Sequence, residues 1–226
     1  MVLVFVVTFL YSSFSFPFSS DAPLKVFFQQ SINLNSGDNL VQLTGIEPWL
    51  QRSVISELPS SWGKKLTCST DSLRPVPTCL WPGLSPHVAS GPLDSWVEVE
   101  TTLNGPGKGR ISISGKVTRN CRLYFDSAKV TNISIRGSSG VIQRGFPIPE
   151  GGAGEVRLWS RTWGKTFDVS VEWDSALPLA GRAACEWAEQ GGIPALKEAL
   201  SFVPSWVRVT KRTDGLLEGW KTFSLE

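Results

Sequence analysis

The sequence predicts an all-β, sandwich-like domain with one short helix near its C-terminus, preceded by part of a membrane helix. Three observations predict it. Apolar and polar residues alternate with period two in successive runs from Lys25 onward, the mark of strands with one buried face. The 21 Gly and 15 Pro include clusters between those runs, where turns are needed. The chain also holds 10 Trp and 12 Phe against one Met and one His, and aromatic side chains favour strands and bury large areas. With 19% charged and 41% hydrophobic residues, the balance is the reverse of a disordered chain, so a packed core is expected.

Residues 1–18, MVLVFVVTFLYSSFSFPF, contain no charged side chain, and Asp21 is the first. A secretory signal would carry a basic stretch before its apolar run, and none is present. The apolar run before Ser12 is shorter than the roughly 20 residues a spanning helix needs. The phrase reads as the exit half of a membrane helix. Ser12, Ser13 and Pro17 close it, because proline cannot extend a helix interior. Phe14, Phe16 and Phe18 then fall at the interface, where aromatic rings are favoured. An atypical signal sequence is the other reading. Both make residues 19–226 a separate β-rich domain across the membrane from the cytosol.

The strands are justified in order. WVEVETTL, from Trp96, alternates. GRISISGKV turns Ile111 and Ile113 inward. VTNISIRG places Ile133 and Ile135 on one face, with Asn132 and Ser134 on the other. EVRLWSR follows from Glu155. The cleanest case is 166–174, TFDVSVEWD, where Phe167, Val169, Val171 and Trp173 share a face opposite Asp168, Ser170 and Glu172. NGPGKGR (104–110) supplies Asn-Gly and Pro-Gly turn signals, and FPIPEGGAGE (146–155) reads as a loop. One helix is predicted over 193–204. Pro194 suits its first turn, Leu196, Ala199 and Leu200 form the stripe, and Pro204 stops it. WVRVTKR and GLLEGWKTFSL read as closing strands.

The four cysteines, Cys68, Cys79, Cys121 and Cys185, include no CxxC pair, which argues against a zinc ribbon or thioredoxin-like chemistry. An even count in a translocated chain suggests two disulfides. Four cysteines allow three connectivities, and four buried free thiols are the other reading. The favoured pairing is Cys68–Cys79, closing a short Pro-rich loop, and Cys121–Cys185, joining two strand-like phrases across a sheet or between sheets. Asn132-Ile133-Ser134 is a sequon, and period two puts Asn132 on a solvent face as a glycan requires.

Catalytic patterns are not found. A triad would have to use His87, the only histidine, and nothing near it resembles a nucleophile elbow. A histidine-based zinc site fails for the same reason. Glu98 and Glu100 share a strand face, the pattern of a solvated edge. Gly107-Lys108 mimics a phosphate loop, but Gly109 stands where Ser or Thr is needed, so it reads as a hairpin turn. A net charge of +2 without a long run of one sign argues against nucleic acid as a partner. The tryptophans have two readings, a thick β core or exposed platforms for sugars. The accessibility of Trp49, Trp62, Trp81, Trp159, Trp163 and Trp220 discriminates them.

Several longer phrases resemble a known family. FPFSSDAPLKVFFQQSINLNSGDNLVQLTGIEPWL, RNCRLYFDS, EVRLWSRTW and GGIPALKEALSFVPSWVRVTKRTDGLLEGWKTFSL together resemble the C-terminal lumenal region of fungal vacuolar membrane proteases. These are multi-spanning, aminopeptidase-like zinc metallopeptidases. The resemblance implies a peptidase domain with two zinc ions, then membrane helices, then this domain on the lumenal side of the vacuolar membrane. No part of this chain matches the peptidase domain, so no catalytic, cofactor or metal residue is carried over. The implied partners are the membrane and the peptidase and membrane domains of a longer protein, of which this chain is expected to be a fragment. The expected role is structural or substrate-presenting, with a glycan-binding module as the alternative.

Overall fold

The computed structural model describes residues 1–71, 74–136, 148–174, 176–189 and 191–225. After helix α1 (Val2–Phe14) come strands β1 (Leu24–Asn33) and β2 (Asn39–Thr44). Three short helical turns, Leu50–Val54, Ile55–Glu57 and Pro59–Ser61, lead to β3 (Thr67–Asp71) and β4 (Arg74–Pro82). The chain continues through β5 (Val97–Gly105), β6 (Lys108–Gly115), β7 (Asn120–Phe125), β8 (Val130–Ile135), β9 (Glu155–Trp159), β10 (Phe167–Trp173) and β11 (Leu179–Trp187). Helix α2 (Pro194–Phe202), β12 (Val207–Lys211) and β13 (Leu217–Leu225) close it.

Two sheets form, as the alternation requires. The larger runs β3-β4-β2-β1-β13-β11-β7-β9, with β12 also pairing β1. The smaller runs β5-β6-β10-β8. The small sheet's inward residues, among them Ile111, Ile113, Val169 and Val171, are fully buried. They share one core with Leu123, Ala183 and Cys185 of the large sheet. Each buried aliphatic side chain contributes about 1.5–3 kcal/mol of transfer free energy. The sheets approach closely at two glycines. A Cβ on Gly109 would lie 2.7 Å from Leu225 Cδ1, and one on Gly115 would lie 2.9 Å from Cys185 Sγ. Away from the small sheet, the helical turns and α2 cover the core, and Ser60 N–H donates to Glu198 Oε1 at 2.7 Å between them.

The disulfides are Cys68–Cys79 and Cys121–Cys185, the pairing favoured from sequence. Each joins directly opposed residues of antiparallel neighbours, β3 with β4 and β7 with β11. Cys121–Cys185 therefore lies across one sheet.

The predicted strands are found, and Gly105 and Gly107 take positive φ in the β5–β6 hairpin turn. One expectation needs adjustment. In α2 the buried residues are Ala195, Leu196 and Ala199, while Leu200 is exposed. The buried face is turned about the helix axis toward Ala195 and away from Leu200. Of the loop at 146–155, residues 146–147 lie outside the described residues. No helix among the described residues is long and apolar enough to cross a membrane.

The least expected feature concerns β1. It pairs in parallel with β12 from Leu24 to Phe28 and in parallel with β13 from Gln30 to Asn33. Those two strands lie end to end along one edge of β1, interrupted by a detour at 212–216. Its two ends are fixed where Arg212 N–H donates to Phe28 O (3.1 Å) and Gln30 N–H donates to Leu216 O (2.8 Å).

Candidate functional site

The detour builds a polar site on the outer face of the large sheet. Period two turns Cys121 and Leu123 of β7 inward, so Asn120, Arg122 and Tyr124 point out. On β11, Glu186 points out beside Asn120, its directly opposed partner. Both would stand in water if the sheet face were bare. Residues from the detour fold over them, and the Arg122 and Glu186 side chains are only 4% and 0% exposed.

Their polar atoms have partners on several elements, with Arg122 Nε in ion-pair contact only. Arg122 Nη2 donates to Asp214 Oδ2 at 2.5 Å, and Arg122 Nε lies 3.4 Å from Glu186 Oε1. Asn120 Nδ2 donates to Glu186 Oε2 at 2.6 Å, and the Thr213 hydroxyl donates to Glu186 Oε1 at 3.0 Å. Thr213 in turn accepts from Gln29 Nε2 of β1 at 3.3 Å. Tyr124 donates to Glu218 Oε2 of β13 at 3.2 Å. The Thr118 hydroxyl donates to the backbone carbonyl of Glu186. Burial raises the Glu186 carboxyl to about 7 despite Arg122 and the Thr213 hydrogen bond. Burial, then the neighbouring Glu218, pushes the Tyr124 phenol up to about 12. Burial opposes the Arg122 charge, but Glu186, Tyr124 and Asp214 outweigh it and hold the guanidinium above its usual range.

Beside this network opens a cavity of about 320 Å³, with Asn120, Glu186 and Asp214 among its lining residues and Trp159 and Trp163 among the others. Trp159 ends β9 and lies opposite Asn120. It is 62% exposed, and Trp163 is 46% exposed. The Arg119 guanidinium carbon sits 4.4 Å from the Trp163 ring centroid, a cation–π contact that holds the indole in place.

The tryptophans fit neither sequence reading alone. Trp81, Trp96, Trp173 and Trp187 are buried, and Trp187 Nε1 donates to Lys116 O at 2.9 Å, which satisfies its N–H within the core. Trp49, Trp206 and Trp220 are half-buried, whereas Trp62, Trp159 and Trp163 are exposed. A second aromatic group collects where α1 meets the domain. Phe16 packs on Trp206 at 4.8 Å, and Phe18 contacts both Trp206 (5.7 Å) and Trp49 (5.1 Å). From Val2 to Tyr11 the large apolar residues of α1 are exposed.

The remaining candidates lie apart from the cavity. Asn132 is exposed on β8, an edge strand of the small sheet. Glu98 and Glu100 are exposed on β5, its opposite edge. His87 is exposed, with its backbone N–H donating to Gly192 O. Among the described residues, no group of three or more His, Cys, Asp or Glu could hold a metal ion. The buried cluster was missed in the sequence, yet a signal for it existed. Once Cys121 faces Cys185, antiparallel pairing puts Asn120 opposite Glu186 and Arg122 opposite Ala184.

Comparison with known proteins supplies a family. The model of a family described as vacuolar membrane protease, C-terminal domain, matches residues 24–218. A vacuolar membrane protease of Schizophyllum commune is 40% identical over 238 residues, covering 99% of this chain and 26% of that protein. Proteins of the same name from Ajellomyces capsulatus and Aspergillus niger are 37% and 36% identical over 257 and 256 residues, each covering 100% of this chain and 26% of its own length. The chain thus spans about a quarter of the length of these curated relatives.

Proposed function

The chain belongs to the vacuolar membrane protease family as its C-terminal domain, and on that premise we propose that it is a non-catalytic lumenal domain held at the vacuolar membrane. It serves the peptidase part of a longer protein, as a structural support or by presenting substrate. The observation that carries this reading is the joint between helix and domain. An uncharged helix with exposed apolar sides enters a collar of Phe16, Phe18, Trp49 and Trp206. Aromatic rings at a helix exit suit the membrane–water boundary. The collar also ties the helix to the base of the large sheet, since Leu24 N–H, at the start of β1, donates to Trp206 O at 2.9 Å.

Other features support the lumenal side and the absence of catalysis. Two disulfides suit an oxidising compartment, and the sequon asparagine Asn132 is exposed. The chain has one histidine, too few for a two-zinc peptidase site built on His ligands. In this reading zinc and hydrolysis belong to the portion of the relatives beyond this chain.

Two measurements test the proposal. In sealed vacuoles, protease added from outside leaves a tagged domain of the full-length protein intact until detergent is added. Cleavage without detergent overturns the lumenal placement. The purified 226-residue chain, incubated with zinc and a peptide library, releases no products, and turnover would overturn the non-catalytic assignment.

A further inference from the structure

We propose that the cavity bordered by Trp159 and Trp163 binds a neutral, hexose-based oligosaccharide. This goes beyond the supporting role and does not depend on it. Four observations lead to it. The first is the position of Trp159. It sits on a regular strand and is 62% exposed, so the fold gains little from it there, and a smaller polar residue would serve the sheet as well. The second is Trp163, which shares the cavity and is held by Arg119 at 4.4 Å. Two indoles at one opening offer flat apolar surfaces for the C–H faces of sugar rings.

The third observation is the floor. Asn120 and Asp214 are fixed by hydrogen bonds to the buried Glu186 and Arg122 before any ligand arrives. Preset acceptors and amides suit hydroxyl groups, which both donate and accept. The fourth is charge. Arg119, Arg157 and Lys211 line the cavity beside Glu189 and Asp214. The cations are also engaged locally. Arg157 pairs with Glu155 at 3.0 Å, Arg119 stacks on Trp163, and Lys211 Nζ lies 3.4 Å from Asp214 O. With each cation engaged in this way, the favoured ligand is polar and uncharged. A cavity of about 320 Å³ lies at the small end of the range for small-molecule sites, roughly 300–1,000 Å³.

The competing occupant is an extended peptide added to β9, the last strand of the large sheet. It would use the strand's backbone and would not require both indoles. The test is titration calorimetry of the whole purified chain with gluco- and manno-oligosaccharides, alongside a peptide library. A high-mannose glycopeptide and its deglycosylated form separate a protein-borne glycan from a free saccharide. The expected result is saccharide binding that weakens by about tenfold or more in Trp159→Ala and Trp163→Ala. Trp159→Phe recovers part of it, and Trp62→Ala, remote in sequence and also exposed, has no effect. A readout without mutation guards against misfolded variants: the bound saccharide protects Trp159 and Trp163, but not Trp62, from N-bromosuccinimide oxidation. Absence of saccharide binding, binding that ignores Trp159, or peptide binding alone overturns the proposal.

Discussion

Arg122 on β7 reaches Asp214 in the detour between β12 and β13, and Nη2 donates to Oδ2 across 2.5 Å. The two residues are 92 positions apart in the chain. Their pairing closes the polar network over the sheet, but the partners differ in exposure, 4% for the Arg122 side chain and 48% for Asp214. Above the Glu186 pKa of about 7, removing the buried partner leaves an ionised Glu186 buried without its cation, and such losses cost about 3–5 kcal/mol. Removing Asp214, which is half in water, costs about 1 kcal/mol. Urea unfolding of Arg122→Leu and Asp214→Ala is expected to show that order, with a positive coupling in the double mutant.

Stability should also depend on pH through Glu186. Burial raises its folded-state pKa to about 7 from 4.5. Between those values the native state keeps a proton that the unfolded chain releases, so stability falls as pH rises. Its contribution is fully present below the unfolded value and is lost as pH rises through the folded one. Unfolding midpoints should therefore be higher near pH 5 than near pH 7.5. Glu186→Gln should flatten the profile across that window, measured as the difference between the two midpoints.

The disulfides should differ in effect. Cys121 and Cys185 are 64 positions apart, and Cys68 and Cys79 are 11 apart. Loop-closure entropy assigns about 4 kcal/mol to the longer link and about 3 kcal/mol to the shorter. Paired Cys→Ala replacements should follow that order in thermal melts. The Cys121/Cys185 replacement should in addition loosen Asn120 and Glu186, visible as faster amide exchange in β7 and β11.

Close approach of the sheets makes Gly115 intolerant of a side chain. A Cβ there would collide with the Thr118 side chain and crowd Cys185. Gly115→Ala should destabilise the domain by about 1–3 kcal/mol. Gly37→Ala is the comparison, with open space around its Cβ position but a positive φ of 79°. It should cost about 1 kcal/mol, through backbone strain alone.

Much of the fold was legible because one face of many strands is wet. In β10, Phe167, Val169, Val171 and Trp173 are buried and alternate with polar residues, so the period alone reveals the strand. β1 is harder, because Phe28, Gln29 and Gln30 are buried in succession. The detour covers one side of that segment, and the alternation disappears where both faces are dry. Its parallel partners were hidden for another reason. Gln29 meets Thr213 across 184 positions, and no local pattern records which distant strand completes a ladder. The candidate site was half legible. Exposed Trp159 and buried Trp187 look alike in composition, and only the packing of β9 at the sheet edge separates them.

The interrupted strand has a consequence for how this chain can vary. From Phe28 to Gln30, β1 advances two residues, while its partner runs from Lys211 to Leu217, six residues, so four are surplus to the ladder. Both ends of the surplus are pinned by backbone bonds to Phe28 and Gln30. The length between the pins is therefore decoupled from strand register. Insertions at 213–215 would reshape the roof over Arg122 and Glu186 and leave every rung of the sheet where it is, so this is the place where the domain's outer surface can be rewritten without refolding its interior.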